Sequence, residues 1–286
     1  MTPLAKREAV GYLTTEHGLS VARACRAVRL SRAAYYRPAL PRALSTDAPV
    51  IDALQGVVAA RPRWGFWKCF DRLRMLGHAW NHKRVHRVYC ALRLNLPRRT
   101  RRRVPRRVQH PLAAPAQLNH TWALDFMSDA LYDGRQFRTL NVLDEGNREG
   151  LAIEVGMSLP SLRVISVLED LVALHGAPRA LRIDNGPELT SIALTRWCAK
   201  HLIAMHHIQP GKPQQNAYIE RFNRTYRTEI LDAHTFDSLS GVRELTADWL
   251  TSYNTERPHD SLGRVPPLTF LPRPDTPAES TFEVST

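Results

Sequence analysis

Hydrophobic and polar positions follow two different periods along the chain, and the period changes near residue 119. Before that point, apolar residues recur at helical spacing, and residues 3–37 predict three short helices. Ser20 and Ser31 stand where the second and third of these helices would begin. The arrangement predicts a helix-turn-helix, in which the third helix presents Arg32 and Arg37 to phosphates or bases. A three-helix scaffold without DNA contact fits the same pattern.

A second helical module is predicted over residues 51–96. The apolar residues at helical spacing are Ile51, Leu54, Val57 and Val58, and the run VHRVYCALRL after Asn81 repeats that spacing. Between them, RPRWGFWKCF alternates aromatic rings with cations, which suits either stacking on bases or a plain aromatic core. We expect Lys83 and Arg84 to contact DNA.

One face of this module also carries possible zinc ligands, which recur every four residues: His78, His82, His86 and Cys90. Four such positions in a row span too much of a helix to surround one ion, and no CxxC accompanies them. Gly77 would also interrupt the helix near its start. The sequence therefore argues against a zinc site.

Beyond residue 119, strand-like and helix-like segments alternate. Segments 120–128 and 135–145 read as strands joined at Asp133-Gly134, a strong hairpin signal, and 150–157 reads as a third strand. Then follow a helix (161–176), a strand (179–186), a helix (194–202), a strand (203–208) and two helices (216–230 and 239–254). This order predicts an α/β fold with a ribonuclease-H-like mixed sheet, preceded by small all-α modules.

Charge divides the chain in the same place as the periodicity does. The net charge is +13, but residues 1–118 hold 24 of the 40 Lys and Arg and 5 of the 27 acidic residues, a net +19, whereas residues 119–286 carry −6. A basic first part is typical of phosphate binding, and an acidic second part can gather carboxylates around metal ions. A charge that serves solubility alone would not need this asymmetry.

Two proline-bearing stretches separate the predicted modules. Residues 39–50 predict a linker, and the cationic run PRRTRRRVPRR, residues 97–107, begins a tether that we expect to order on a phosphate backbone through Arg101, Arg102 and Arg103. The predicted segments are 1–38 (helix-turn-helix), 39–50 (linker), 51–96 (second helical module), 97–118 (tether), 119–272 (ribonuclease-H-like domain) and 273–286 (tail).

Membrane and secreted classes are not favoured. No stretch approaches the roughly 18 to 20 uninterrupted apolar residues of a spanning helix. The first residues, MTPLAKREAV, lack the apolar region of a signal peptide, and the four cysteines show no disulfide-like spacing. We therefore expect a cytoplasmic protein with no membrane partner.

Three carboxylates of the second part are candidates for a metal site. Asp125 lies in the apolar strand WALDFM, where a buried carboxylate is costly unless it binds a metal or a partner. Asp184 ends the strand LRID before an Asn-Gly turn, and Glu220 lies on a helix that begins near Asn216. In-line displacement at a phosphodiester uses two divalent cations about 3.5 to 4 Å apart, and Mg²⁺ prefers oxygen ligands. The rival carboxylates are Asp129, Glu188 and, most seriously, Asp144, which ends a strand beside Asp125.

Four segments carry a resemblance to a known family: HTWALDF, RIDNGPEL, GKPQQNAYIERFNRT and YNTERPHDSLG. Together they resemble the motif series of bacterial insertion-sequence transposases, specifically the second-frame catalytic subunit related to retroviral integrases. The resemblance implies a catalytic Asp, Asp, Glu triad with 35 residues between the last two, and residues 185–219 number 35. It extends to the helix-turn-helix and to WNHKRVHRVYCALRL, and so covers nearly the whole chain.

By this resemblance, Asp125, Asp184 and Glu220 would hold two Mg²⁺ ions, with Mn²⁺ able to substitute. The enzyme would cleave a strand at the end of the element and join the freed 3′-hydroxyl to a second phosphodiester. Its partners would be double-stranded DNA at element ends and target, further copies of itself, and a first-frame transposase protein.

Four residues near the triad are expected to contact DNA. Arg227 matches a basic position of the family, and Lys212 and Asn216 flank the loop before Glu220, where they can touch DNA or orient the active site. Arg224 belongs to the same helix as Glu220.

Two other classes stay open at this point. One is a catalytically decayed transposase that acts as a DNA-binding repressor, which would bind DNA without cutting it. The other is a ribonuclease-H-type nuclease acting on RNA–DNA hybrids, although the helix-turn-helix favours duplex DNA.

Overall fold

The computed structural model describes residues 3–36, 44–97, 117–209 and 216–273. The chain divides into two units, Met1–Gly56 and Val57–Thr286. Among the described residues, no helix is both long and apolar enough to cross a membrane.

The first unit contains the three predicted short helices. They are α1 (Pro3–Thr15), α2 (Val21–Ala27) and α3 (Arg32–Tyr36). Their common core is formed by Val10, Ala24 and Cys25, all fully or almost fully buried. Ser31 behaves as the sequence predicts, because its Oγ accepts a hydrogen bond from the Ala34 amide at 3.1 Å, whereas the Ser20 side chain makes no such bond.

The prediction of a linker over residues 39–50 is wrong for its second part. Helix α4 (Leu44–Ala60) begins six residues before residue 50 and contains Pro49. Alanine is the best helix former, so an Ala-rich segment is helical once its neighbours allow it. Pro49 is the sixth residue of the helix and removes one hydrogen bond to the residue four positions earlier, which the remaining residues of α4 must offset. Residues 39–43 lie outside the described part of the chain.

The second unit begins with the predicted aromatic and histidine-rich module. Helix α5 (Phe66–Met75) ends before Gly77, whose φ of +90° favours glycine. Helix α6 (His82–Ala91) is capped at its N-terminus by Asn81, whose side chain accepts a hydrogen bond from the Lys83 amide. The segment is in part an aromatic core, because Trp64 is buried. Trp67 is 48% exposed, with the Arg264 guanidinium 4.7 Å from its ring centroid, and stacking on bases stays a prediction.

The histidines that were weighed as zinc ligands lie against aromatic rings. His78 precedes α6 and stacks on Trp80 with 4.2 Å between ring centroids. His86 contacts the ring of Phe66 at 4.7 Å, also between centroids. Their placement is explained by packing.

A five-stranded mixed sheet forms the centre of the second unit. Its strands are β1 (Thr121–Ala130), β2 (Gln136–Asp144), β3 (Gly150–Gly156), β4 (Ala180–Ile183) and β5 (Ala204–His207). They lie in the order β3-β2-β1-β4-β5. Strand β2 is antiparallel to both of its neighbours, β1 and β3, whereas β4 is parallel to β1 and β5 is parallel to β4. The predicted mixed sheet is confirmed, and every predicted strand is present within two or three residues of its expected ends.

Helices cover both faces of this sheet. On one face, α7 (Ser161–His175) and α8 (Ile192–Lys200) pack on a core that includes Trp122 and Leu124. On the other, α9 (Ala217–Tyr226) and α10 (Leu239–Thr255) pack on a core that includes Ala123. Because side chains alternate along a strand, Asp125 lies on the same side of β1 as Ala123, towards α9.

Irregular elements complete the unit. The residues after α9 continue as one π-helical turn, Arg227–Leu231, and a 3-10 turn, Asp260–Leu262, precedes the short α11 (Pro267–Phe270). Arg273 was predicted to begin the tail, but its guanidinium contacts Asp144 at 2.8 Å and Glu149 at 2.6 Å. The ordered domain therefore extends at least to residue 273.

Candidate active site

Asp125 lies on the central strand of the sheet, largely enclosed by its neighbours. Its Oδ2 accepts a hydrogen bond of 2.7 Å from Nδ2 of Asn223, and its Oδ1 accepts one of 2.9 Å from the Phe126 amide. The pKa of this carboxyl is raised to about 6, mainly by burial, with the charges of Asp184 and Glu220 contributing to the rise. The negative charge of Asp125 is therefore incompletely compensated, and a nearby cation would stabilise it.

Asp184 is brought beside Asp125 by the parallel pairing of two strands. The pairing of β1 with β4 ends at Ala123 and Arg182. Two residues further along each strand, Asp125 and Asp184 stand at the same level. The Asp184 Oδ1 accepts a hydrogen bond of 2.9 Å from the Gly186 amide, and a Cβ at Gly186 would lie 3.0 Å from that oxygen. The Asn-Gly turn seen in the sequence thus holds the carboxylate in a fixed position.

Glu220 is supplied by the first turn of α9. It is exposed, and it precedes Asn223 by three residues, so both side chains lie on one side of the helix. Asn223 contacts Asp125, which places the Glu220 side of α9 over the sheet. The influence of Glu220 on the pKa of Asp125 agrees with this placement.

Carboxylate oxygens are the ligands that Mg²⁺ prefers, so the donor set of these three residues fits that ion in kind. Within the described ranges, however, no three His, Cys, Asp or Glu side chains lie close enough together to hold a metal ion. Ligation by all three would require a side chain to move. Glu220 is the exposed member on a helix surface, and its side chain can rotate without repacking the core.

Each rival carboxylate has an arginine partner. Asp129 contacts Arg227 at 3.1 Å, and Glu188 forms a close ion pair with Arg138. Asp144 is fully buried, contacts Arg273, and pairs in the sheet with Trp122, three residues before Asp125. Three residues of a strand span about 10 Å, so Asp144 lies beside the start of β1, about 10 Å along the strand from Asp125.

Sequence reasoning missed two asparagines that support the site. Asn223 is buried and donates to Asp125, and the buried Asn141 donates in turn from Nδ2 to Oδ1 of Asn223 at 2.7 Å. Buried amides need such partners, and this chain fixes the orientation of the Asp125 carboxylate. The available signal was a polar residue in the otherwise apolar strand TLNVL and an asparagine one helical turn after Glu220.

The residues predicted to contact DNA near the triad lie in different surroundings. Arg224 is exposed on α9, whereas the guanidinium of Arg227 is held by Asp129 and by the Ser128 carbonyl at 2.9 Å. Asn216 is 5% exposed, and its Oδ1 has no hydrogen-bond partner among the described residues. Contact with DNA and orientation of the active site, the two roles predicted for Asn216, both stay predictions.

The remaining predicted DNA contacts are on the helical modules and the tether. Arg32 in the first unit and Lys83 in the second are exposed, and Arg84 is half-buried. Those that lie outside the described residues are Arg37, Arg101, Arg102, Arg103 and Lys212.

Comparison with known proteins places these features in a family. Two families, each described as an integrase core domain, match residues 115–213 and 201–267. An uncharacterized 39.2 kDa protein of insertion element IS476 from Xanthomonas euvesicatoria is 37% identical over 274 residues, which cover 94% of this chain and 78% of that protein. A putative transposase of insertion sequence element IS150 from Escherichia coli is 24% identical over 234 residues, covering 74% of this chain and 81% of its own length.

A solved structure has the same fold. A chain of the simian T-cell lymphotropic virus intasome, determined with the PP2A regulatory subunit B56 gamma, superimposes with a TM-score of 0.50 and 14% sequence identity. The match covers 82% of this chain and 78% of that chain. The sheet is therefore that of the integrase catalytic cores, which is the ribonuclease-H-like fold predicted from the sequence.

Proposed function

The chain belongs to the integrase-core family of insertion-sequence transposases, and from this premise we propose that it cleaves and joins DNA strands at the ends of an insertion sequence. Membership supports a role in DNA transposition in general terms. The finer proposal is that Asp125, Asp184 and Glu220 hold two Mg²⁺ ions, for which Mn²⁺ can substitute.

One observation carries this proposal. The β1–β4 pairing and the Asn223 hydrogen bond bring Asp125, Asp184 and the Glu220 side of α9 to one end of the sheet. When bound, the two ions would activate the attacking oxygen and stabilise the leaving oxygen of an in-line displacement. The rival carboxylates Asp129, Asp144 and Glu188 are paired with arginines, whereas Asp125 has no cationic partner among the described residues.

Two hydrogen bonds would orient the carboxylates before DNA binds. Asn223 fixes one oxygen of Asp125, and the Gly186 amide fixes one oxygen of Asp184.

The proposed chemistry has two reactions. In the first reaction, water attacks phosphorus and the bond to the 3′-oxygen breaks, freeing a 3′-hydroxyl. In the second, that oxygen forms a new bond to phosphorus in the target strand while another P–O bond breaks.

DNA binding and assembly are part of the same proposal. The first 118 residues, with their net charge of +19, would bind the duplex, and several copies of the chain would assemble on paired ends. A first-frame transposase partner stays a prediction of the sequence resemblance.

A direct test uses the full chain with duplex DNA that carries the ends of the element, and an RNA–DNA hybrid of the same sequence. We expect Mg²⁺-dependent nicking and joined products from the duplex alone, and neither from Asp184→Asn. Cleavage restricted to the hybrid would favour the ribonuclease alternative. Binding of the duplex with no cleavage in Mg²⁺ or Mn²⁺ would favour the repressor alternative.

A further inference from the structure

A cleft adjoins the candidate active site on the surface of α9, and helix α5 forms part of its wall. Glu220 lines it, so the cleft is continuous with the triad. Three segments of the second unit supply its charged side chains and one imidazole. These residues are Lys68 on α5, Glu220, Arg221 and Arg224 on α9, and Arg257, His259 and Asp260 after α10.

Lys68 is the unusual residue of this cleft. It is largely buried, yet it makes no hydrogen bond or ion pair with any described residue. The pKa of its ammonium is lowered to about 8, mainly by burial, with Arg257 and Arg221 contributing and Glu229 and Asp260 opposing the shift. A buried ammonium without a partner is costly, which suggests that its partner is a ligand.

Further cations stand beside Lys68. Arg221 and Arg224 are exposed and lie one helical turn apart on α9, and their guanidinium groups have no hydrogen-bond or ion-pair partner within the part of the chain that the structure describes. Arg257 is already compensated, because its guanidinium contacts Glu229 at 3.0 Å. Three uncompensated cations thus face two carboxylates, Glu220 and Asp260, and the cleft has a surplus of positive charge.

His259 adds a polar atom that lacks a partner. Burial lowers the pKa of its imidazole to about 3, with Arg257 and Lys68 adding to the effect, so the ring is neutral at physiological pH. The ring lies edge-on to Tyr253 at 4.6 Å, and its Nε2 is buried without a hydrogen-bond partner among the described residues. Because the ring already donates a hydrogen bond to the Tyr253 backbone, its neutral Nε2 is an acceptor and cannot donate to a phosphate, so the binding of a phosphate depends on the cations of the cleft.

We propose that this cleft binds the phosphodiester backbone of a DNA strand, with Lys68 facing one phosphate and Arg221 and Arg224 facing the phosphates next to it. Side chains one turn apart on a helix are about 5 to 6 Å apart at their Cβ atoms, which suits successive phosphates better than a single small anion. The proposal deepens the proposed function, since the bound strand would pass Glu220. Lys68 lies outside residues 115–267, so the α5 module would supply part of a site otherwise built from the integrase core.

The test measures DNA affinity in a buffer without divalent cations, where no cleavage occurs. Lys68→Met in the full chain is compared with Lys200→Met, a matched loss of charge at the exposed end of α8. We expect Lys68→Met to weaken duplex binding about tenfold and to reduce the slope of log affinity against log salt by about 0.9, while Lys200→Met leaves both unchanged. Lys68→Arg should retain most of the affinity.

Phosphate contact can be located with DNA that carries a single neutral methylphosphonate. At one position near the cleavage site, this change should weaken the wild type but not Lys68→Met. The thermal unfolding midpoint of Lys68→Met should equal or exceed that of the wild type, since an unpaired buried charge is removed.

Equal affinity and salt slope for Lys68→Met and wild type would overturn the proposal, and so would an equal loss in Lys200→Met. Because binding is read without cleavage, these outcomes are independent of whether the chain cuts DNA. A chain that binds as expected but never cleaves would instead count against the proposed function alone.

Discussion

Asn223 on α9 donates a 2.7 Å hydrogen bond to Asp125 on β1, and this bond joins the helix that carries Glu220 to the strand that carries the central aspartate. Asn141, on the neighbouring strand β2, donates to Asn223 and holds the amide in the orientation that the bond requires. Two buried asparagines therefore set the relative position of two residues of the proposed triad.

Replacing Asn223 by alanine should lower the rate of strand cleavage by about 10-fold to 100-fold, the usual effect of losing a group that orients a metal ligand. It should also cost about 1 to 3 kcal/mol in the free energy of unfolding, because the amide of Asn141 loses its acceptor. Cleavage kinetics and urea denaturation measure the two effects. Asn95→Ala, at an exposed position, serves as the control. Unchanged kinetics for Asn223→Ala would show that the hydrogen bond has no part in the reaction.

Asp125 should make the metal-free protein less stable as the pH rises. Its folded pKa of about 6 lies above the ordinary value of 3.8, so the folded state holds this proton more tightly than the unfolded chain does. Its contribution to stability is therefore present below pH 3.8 and is lost as the pH rises through 6. Asp125→Asn should accordingly be more stable than wild type at pH 8 in EDTA by about 1 to 3 kcal/mol, with a smaller difference at pH 4.

Urea denaturation of both proteins at the two pH values checks this expectation. The amide oxygen can still accept the Asn223 hydrogen bond, whereas the amide NH2 cannot accept the one from the Phe126 amide, so the variant loses that bond at both pH values. The pH dependence of the stability difference is therefore the test, and a difference that stays constant with pH would contradict the raised pKa.

Gly186→Ala should displace the Asp184 carboxylate. The added Cβ would lie 3.0 Å from Oδ1 of Asp184, tighter than nine in ten real Cβ contacts, so the carboxylate or the turn must shift by a few tenths of an ångström. We expect a clear loss of cleavage, on the order of 10-fold or more, because metal ligands tolerate little misplacement. Gly56→Ala, where nothing lies within 4 Å, is the matched control and should cleave normally. Full activity in Gly186→Ala would mean that the turn does not position Asp184.

Arg273 should be essential to stability, although it stands near the end of the described chain. It pairs with the fully buried Asp144 and with Glu149, and it donates to the Asn119 side chain. Arg273→Met would leave buried carboxylates unpaired, at a cost of about 3 to 5 kcal/mol in the free energy of unfolding. Arg135→Met removes an exposed pair with Asp133 and should change the free energy of unfolding far less, because solvent screens that pair. Urea denaturation of the two variants measures the difference. A similar loss of stability in both would contradict the importance assigned to the buried pairs of Arg273.

Much of the fold could be predicted from the sequence because its signals are local. Alternation along residues 120–128 and 135–145, the Asp-Gly turn and the apolar helix faces each depend on neighbouring residues, and the observed strands follow them. The prediction of a linker over residues 39–50 is wrong in its second part, where α4 begins at Leu44. Proline suggested a break there, but the helical preference of alanine prevails.

The supporting residues of the candidate site could not be predicted in this way. Asn223 meets Asp125 across 98 residues of sequence, and Arg273 meets Asp144 across 129. Lys68 lines the same cleft as Glu220, although its segment, RPRWGFWKCF, predicted only an aromatic core or a surface for base stacking. Each of these contacts is created by the packing of distant elements, and no periodicity or spacing encodes it.

The most direct test of the account compares Glu220→Gln with Glu188→Gln in Mg²⁺-dependent nicking of duplex DNA that carries the element ends. Both changes replace a carboxylate by an amide near the same end of the sheet, but only Glu220 is assigned to the metal site, and Glu188 is paired with Arg138. The account predicts no detectable nicking by Glu220→Gln, with DNA binding intact, and near wild-type nicking by Glu188→Gln. Nicking by Glu220→Gln at the wild-type rate would contradict it.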